Sequence, residues 1–185
     1  MGRDKATLPF GPETLLERVV RLVGHAVEEV VVVARPGQEL PPLPEGVRVV
    51  RDEVLDQGPV GGLVPGLRAV RAPAAYATSC DVPFLNAAVP DLLFQRLDEA
   101  HDTVVVEAGG YTQPLCAVYR KRVLPALEAL LAAGRLRPAY LFDRVATLRV
   151  FGEEVRRVDP ELGTLMNCNT PELYDSALAQ AGFAP

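Results

Sequence analysis

The sequence has few of the residues on which several common kinds of site depend. It contains three cysteines, two histidines and two serines in 185 residues. The cysteines are odd in number, far apart and without C-x-x-C spacing, so neither a disulfide framework nor a zinc site is expected, and a reducing cytoplasm fits best. So few serines and histidines leave little material for a Ser-His-Asp catalytic triad.

Positive charge and long apolar runs are also scarce. The formal net charge is −5 at pH 7, so nucleic acid and anionic membrane would repel the chain and neither is an expected partner. A small local basic site for a phosphorylated ligand is compatible with this charge. No apolar run approaches the roughly 20 residues that span a bilayer, and a charged N-terminus predicts no signal peptide. We therefore expect a cytoplasmic globular protein.

What the chain does have is a regular alternation of strand and helix patterns. With 185 residues, 49% of them hydrophobic, it is expected to form one domain spanning 1–185. The valine run 30–33 shows no polar alternation, which is typical of a strand covered on both faces in a parallel sheet. The alternation predicts an α/β fold with three α/β/α layers, Rossmann-like, built on a mostly parallel sheet.

The individual patterns give approximate bounds. Residues 1–11 have no period and predict a loop, and Pro65 is tolerated in a helix only if it lies in the first turn. Strand 113–119 is expected to run antiparallel to the strand before it. The predicted strands are 29–34, 47–51, 74–78, 103–107, 113–119 and 146–151, and the predicted helices are 14–23, 57–67, 90–97, 123–133, 138–144 and 171–180.

One carboxylate is distinguished by its position. Asp81 follows the apolar stretch 74–78, which predicts a short buried strand, and Pro83 requires that strand to stop. The carboxyl ends of parallel strands face the ligand crevice, so this carboxylate would be held towards a bound substrate. Asp81 is therefore the leading candidate for a metal ligand. The alternative is an N-cap or turn residue, which is common at such a position.

Five stretches, in this order and spacing, are similar to the molybdenum cofactor guanylyltransferase family. They are Met1-Gly2-Arg3-Asp4-Lys5-Ala6, Gly58-Pro59-Val60-Gly61-Gly62-Leu63, Cys80-Asp81-Val82-Pro83, Gln113-Pro114-Leu115 and Asn167-Cys168-Asn169-Thr170-Pro171-Glu172-Leu173. The resemblance covers nearly the whole chain and implies a nucleotide-diphospho-sugar-transferase-like fold. It implies transfer of GMP from GTP, with Mg²⁺, to the terminal phosphate of molybdopterin, releasing pyrophosphate. Molybdoenzymes or their chaperones are further implied partners.

The start of the chain departs from the family pattern. The family's glycine-rich loop has the form Leu-Ala-Gly-Gly-x-Ser-x-Arg-Met-Gly-x-Asp-Lys, and this sequence begins at its Met. By resemblance the strand before that loop is central in the sheet, so its two neighbours would have unpaired edges or a gap between them. We expect a start codon assigned too late, on an internal Met; a genuinely truncated chain is expected to fold or act poorly.

The resemblance assigns roles to single residues. Lys5 and Asp81 would be catalytic, Lys5 as a point charge on the phosphates and Asp81 as a hard oxygen ligand for Mg²⁺. Asp52, with Gly58 and Gly61, would help to bind the nucleotide. The acceptor would contact Gln113, Asn167 and Asn169, the last two pointing the same way if their stretch is extended. Arg3 and Arg137 are secondary candidates for phosphate contacts.

Each assignment has a structural alternative. Lys5 would otherwise be a solvated terminal lysine, Asp52 a turn cap and Arg137 a surface arginine. The glycines would serve helix packing and Gln113 the register of an edge strand. Beside the asparagine pair, Thr170-Pro171 would mark a structural cap, with Thr170 as N-cap and Pro171 as the first helical residue. Cys80 is not expected to be a nucleophile, because no histidine lies within local reach and buried free cysteine is commonly structural.

Two rival functions remain at this point. A cytidylyltransferase of the same cofactor has a similar fold, but usually has Gly in place of Cys80 and Ile-Asp in place of Cys168-Asn169, so these positions favour guanine. A catalytically inactive nucleotide-binding or adaptor protein is the rival from another class, supported by the incomplete glycine-rich loop.

Overall fold

The computed structural model describes residues 4–51 and 58–184. Its strands are β1 (Pro9–Phe10), β2 (Glu13–Thr14), β3 (Val31–Ala34), β4 (Arg48–Arg51), β5 (Ala74–Thr78), β6 (Thr103–Ala108), β7 (Tyr111–Arg120) and β8 (Thr147–Phe151). Its helices are α1 (Leu15–Val23), α2 (Gly58–Ala69), α3 (Ala88–Arg96), α4 (Leu124–Ala132), α5 (Ala139–Phe142), α6 (Gly152–Val155) and α7 (Pro171–Gln180), with short 3₁₀ turns at Lys5–Thr7, Lys121–Val123 and Gly163–Leu165. None of the helices in these ranges has the length and apolar character needed to cross a membrane.

Four strands form the main sheet, in the order β5, β7, β6, β8. β7 runs antiparallel to β5 and β6, as predicted for it, and β6 runs parallel to β8. Three of these four strands therefore share one direction and only β7 opposes them. The strands β3 and β4 also pair in parallel, so the mostly parallel arrangement is confirmed.

The pair β3 and β4 is separate from the main sheet among the described residues. In that part of the chain β3 pairs with β4 alone and β5 with β7 alone, which leaves each with one free edge. No hydrogen-bonded strand pair among the described residues therefore joins the two sheets. Helix α1 packs against both of them, because Val19 lies in one cluster with Val30, just before β3, and Tyr76 of β5.

Both faces of the main sheet are covered by helices. Val105 of β6 packs on one face with Val60 of α2 and Leu127 of α4. Its neighbour Val104 points to the other face, where it packs with Leu93 of α3 and Val155 of α6. Successive side chains of a strand point to opposite faces, so this division places the sheet between two helical layers. The predicted three-layer α/β/α fold is confirmed.

The position predicted for Pro65 is wrong. It lies in the second half of α2, where it cannot donate the helical hydrogen bond to the Gly61 carbonyl. A proline in a helix interior costs about 3 kcal/mol. Val64 and Leu67, beside it, are buried in the core, and burial of two such side chains contributes about 1.5–3 kcal/mol each. Packing therefore outweighs the helix-breaking tendency.

Two further predictions need correction. Residues 1–11 are not simply a loop, because Lys5–Thr7 forms a 3₁₀ turn and β1 pairs with β2 in a small hairpin. Strand β5 has the predicted bounds, but its residues are half-buried rather than buried. The free edge of β5 accounts for this exposure, since a strand inside a sheet would be covered on that side.

Candidate functional site

Asp81 lies in the turn that follows β5, with 5% of its surface exposed. Its backbone carbonyl accepts a hydrogen bond of 2.8 Å from the N–H of Cys168. This bond fixes the residues before α7 against the end of β5. The Arg18 guanidinium of α1 donates to the Pro83 carbonyl at 2.6 Å. The backbone carbonyls of Asp81 and Pro83 therefore connect this turn to the residues before α7 and to α1.

Both carboxylate oxygens of Asp81 accept hydrogen bonds. Lys5 Nζ donates to Oδ2 at 2.6 Å, while Ser79 Oγ and Asn167 Nδ2 donate to Oδ1 at 2.5 and 3.0 Å. Burial alone would raise the pKa of Asp81, but these hydrogen bonds and the Lys5 charge outweigh it and hold that pKa below its usual range. The group is therefore an ionised carboxylate at neutral pH.

Lys5 connects Asp81 to the asparagine pair. Its ammonium also donates to Asn169 Oδ1 at 2.7 Å. The prediction that Asn167 and Asn169 belong to an extended stretch is wrong, because the Asn169 N–H bonds the Asn167 carbonyl at 3.0 Å and closes a tight turn. Both side chains nevertheless reach the same cluster. We call Lys5, Ser79, Asp81, Asn167 and Asn169 the Asp81 cluster.

Asp4 positions Lys5 from the preceding residue. Its side chain caps the 3₁₀ turn by accepting from the Ala6 N–H at 3.0 Å. It also accepts from Gln38 Nε2 at 2.8 Å and from Arg35 Nη2 at 3.1 Å. The backbone of Lys5 is therefore tied to the loop after β3. The sequence offered Asp4 as part of a family pattern, but no local signal pointed to Gln38.

Ser79 is the member of the Asp81 cluster that sequence reasoning missed. It lies two residues before Asp81 and bonds both the carboxylate and the Asn167 amide, the latter at 3.2 Å. A serine at the end of a strand has many local roles, so its position alone carried no specific signal.

The two candidate glycines of α2 differ in their surroundings. Gly58 has φ of +56°, and a Cβ added there would lie 3.1 Å from the Leu136 carbonyl oxygen. It therefore requires glycine for both conformation and space. Gly61 is buried within α2, which favours its packing alternative. Arg137, adjacent to Leu136, is exposed beside the start of this helix.

The remaining candidates lie away from the Asp81 cluster or outside the described residues. Gln113 lies on β7 and pairs with Val106 of β6. It precedes by three residues Cys116, the β7 partner of Thr78 at the end of β5. It therefore lies at the same end of the sheet as Asp81, although no hydrogen bond between described residues joins it to the cluster. Asp52 and Arg3 fall in the parts of the chain that the structure does not describe.

Cys80 is half-buried beside the site. Burial and the neighbouring negative charge of Asp81 raise its pKa to about 11. It is therefore a neutral thiol at physiological pH, whereas the thiolate is the nucleophilic form. The structural interpretation of this cysteine is favoured.

The cluster offers a divalent cation few protein ligands. The described residues contain no group of three or more His, Cys, Asp or Glu that could hold a metal ion. Asp81 supplies one carboxylate, with the Asn169 amide oxygen nearby through Lys5. Mg²⁺ is commonly held by one or two carboxylates together with substrate phosphates, keeping several waters. The residues therefore fit a cation that is shared with phosphates, not one that the protein encloses by itself.

Comparison with known proteins places this chain in a family. Residues 1–146 match the MobA-like NTP transferase domain. The chain belongs to this family. A relative from Methanosarcina mazei, named probable molybdenum cofactor guanylyltransferase, is 31% identical over 96% of this chain and 84% of its own. One of the same name from Mycobacterium avium is 37% identical over 98% of this chain and 89% of its own.

Solved structures share the fold. Molybdopterin-guanine dinucleotide biosynthesis protein A from Archaeoglobus fulgidus superposes with a TM-score of 0.82 at 20% identity, covering 98% of this chain and 92% of its own. The 2-C-methyl-D-erythritol 4-phosphate cytidylyltransferase from Thermus thermophilus gives a TM-score of 0.71 at 19% identity, covering 96% and 93%. At such identities the likeness shows the nucleotidyltransferase-like α/β fold alone.

Proposed function

We propose that this protein is a molybdenum cofactor guanylyltransferase, which transfers GMP from GTP to the terminal phosphate of molybdopterin. The observation that supports this most is the Asp81 cluster, in which Lys5 Nζ contacts both Asp81 and Asn169. It unites three of the separate motifs on which the family resemblance rests. Both relatives described above are named probable molybdenum cofactor guanylyltransferase.

The reaction exchanges one phosphoanhydride bond for another. An oxygen of the acceptor phosphate attacks the α-phosphorus of GTP, and the bond from that phosphorus to the bridging oxygen breaks. The electron pair of the broken bond leaves with pyrophosphate. Because a phosphate monoester is largely ionised near neutral pH, the acceptor needs no dedicated protein base. The absence of a histidine from the Asp81 cluster is consistent with this chemistry.

Fixed positive charge is what the reaction requires of the protein. Negative charge develops on the α-phosphate oxygens and on the leaving pyrophosphate. Lys5 would contact these oxygens as a point charge, with its backbone held by Asp4. Asp81 would hold Mg²⁺, which when bound neutralises phosphate charge and orients the triphosphate. Mg²⁺ is therefore the proposed cofactor.

The nucleotide and the acceptor would contact different residues. Gly58 lies at the start of α2, where backbone N–H groups can bind an anion, and Asp52 would contact the nucleoside. Asn167 and Asn169, with Gln113 at the same end of the sheet, would face molybdopterin. Delivery of the product to molybdoenzymes or their chaperones in the cytoplasm completes the proposal.

Nucleotide competition tests the proposal against both rivals. We expect pyrophosphate release from GTP, in the presence of molybdopterin and Mg²⁺, and none from CTP. Release from CTP alone would identify a cytidylyltransferase of the same cofactor. Release from neither nucleotide would identify an inactive binding or adaptor protein.

A further inference from the structure

In this structure the carboxylate of Asp81 is paired with the ammonium of Lys5. Lys5 Nζ lies 2.6 Å from Oδ2 of the carboxylate and 2.7 Å from the Asn169 amide oxygen. The other carboxylate oxygen is occupied by Ser79 and Asn167. A hard divalent cation would select the oxygens of Asp81 and Asn169 that the ammonium now contacts.

The positive charge of Lys5 affects how a metal ion can approach Asp81. Lys5 and Asp81 form an ion pair that is electrically neutral as a unit. The described residues contain no cluster of three or more His, Cys, Asp or Glu around Asp81 that could hold a metal ion. A divalent cation that approached Oδ2 would therefore meet the ammonium at close range, and this repulsion is strong away from bulk water.

Lys5 is built to leave this position. Its side chain is 30% exposed, whereas that of Asp81 is 7% exposed. Its backbone is fixed independently, because Asp4 caps the turn that contains it. The long flexible stem can therefore move its charged end while the main chain stays in place.

We propose that the Lys5 ammonium occupies the divalent-cation position on Asp81 until a nucleoside triphosphate draws it away. The cation then binds with the phosphates, not before them. This inference rests on the proposed function, since it takes Asp81 as the metal ligand. It adds that the site excludes the bare ion, so that metal and nucleotide binding are coupled through one lysine.

Metal titration without nucleotide tests the proposal. Mn²⁺ is the probe, and its free concentration is followed by electron paramagnetic resonance. The wild-type chain is expected to bind Mn²⁺ weakly. Lys5→Met should bind one Mn²⁺ roughly tenfold tighter or more, because the competing charge is gone. Lys121→Met is the matched control, since Lys121 is the other lysine in the sequence and donates to the Val70 carbonyl; it should bind like the wild type.

Two more variants define the mechanism. Lys5→Arg keeps the positive charge and should remain as weak as the wild type. Adding Asp81→Asn to Lys5→Met should remove the gained site. The proposal is overturned if Lys5→Met binds Mn²⁺ no tighter than the wild type, or if the gain survives loss of the Asp81 charge.

A measurement on the unaltered chain covers the case in which Lys5→Met does not fold. With two lysines in the sequence, ε-¹³C-lysine labelling gives two side-chain resonances, assigned with Lys121→Arg. Mg²⁺ alone should leave the Lys5 resonance unchanged, and Mg²⁺ with α,β-methylene-GTP should move it. A shift with Mg²⁺ alone contradicts the proposal. Failure of the proposed function would appear separately, as wild-type protein that releases no pyrophosphate from GTP.

Discussion

At the scale of single residues, hydrogen-bond donors determine the charge and the orientation of the Asp81 carboxylate. Burial opposes its charge, yet donors from Lys5, Ser79 and Asn167 satisfy both oxygens. A hydrogen bond to a charged group contributes about 1.5–3 kcal/mol to stability. A buried carboxylate that lost one of these donors would therefore be held less firmly in its orientation. Ser79 is the donor with the shortest of these contacts and with no charge of its own.

Ser79→Ala is therefore expected to weaken catalysis without changing the fold. We expect kcat/KM for GMP transfer to fall about tenfold to a hundredfold, as the lost hydrogen bond loosens Asp81. Ser176→Ala is the matched control, because Ser176 is exposed on α7. Steady-state pyrophosphate release measures both. Equal rates for the two variants would show that Ser79 has no part in orienting Asp81.

The cysteines provide a prediction of pH dependence. Burial is the main reason that the pKa of Cys80 and of Cys168 is raised to about 11, and that of Cys116 to about 12. A raised thiol pKa keeps the group protonated, so only about one Cys80 in a thousand is thiolate at pH 8.

Alkylation by iodoacetamide should therefore be slow in the folded protein at pH 8 and speed up about tenfold per pH unit below pH 11. Mass spectrometry of each cysteine peptide follows the reaction, with urea-unfolded protein as the control. Cys80→Ala should retain turnover. Rapid modification of Cys80 at pH 7, together with an inactive alanine variant, would show that Cys80 is a nucleophile and contradict its structural interpretation.

At the scale of elements, the sequence pattern predicted the structure correctly where a single strong local residue preference was unopposed. Thr170 caps α7 by accepting from the Leu173 N–H, with Pro171 as the first helical residue, as predicted. The prediction failed at Pro65, where core packing of its neighbours opposes a local helix-breaking preference. It also failed at Asn167–Asn169, where the Asn169 N–H bonds the Asn167 carbonyl in a turn that no local residue preference indicates.

Helix α2 allows two glycines to be compared directly. Gly58→Ala should cost about 1–2 kcal/mol of stability, because its φ of +56° is left-handed and the new methyl would crowd the Leu136 carbonyl. Gly62→Ala adds a methyl with nothing within 4 Å and should be neutral or stabilise the helix by about 0.5–1 kcal/mol. Urea unfolding gives both values. The same loss in both variants would mean that Gly58 is not conformationally required.

At the scale of the whole molecule, the site depends on contacts between distant parts of the chain. Lys5 and Asp81 are 76 residues apart in sequence, and Lys5 and Asn169 are 164 apart. Periodicity places strands and helices but contains no information on which strand ends meet. The family resemblance supplied that information, and it indicated four of the five members of the Asp81 cluster. Ser79 and the Asp4–Gln38 contact emerged only from the folded arrangement.

The whole-molecule arrangement also explains why the sheet was only partly predictable. The valine run of β3 indicated a strand covered on both faces, but its burial alternates between half-buried and buried residues. The half-buried residues of β5 show a similar effect. Among the described residues, each of these strands has one edge without a paired strand. Burial of a strand depends on its neighbours, which its own sequence does not specify.

The most direct test of the central claim is transfer of label from [α-³²P]GTP to molybdopterin by the wild type and by Asp81→Asn. The variant keeps the size of the side chain and removes the charge that would hold Mg²⁺. We predict that it loses on the order of 10²–10³ or more in rate, while circular dichroism shows a nearly unchanged fold. Asp91→Asn, at an exposed position of α3, should transfer label normally. Full Mg²⁺-dependent transfer by Asp81→Asn would contradict the account.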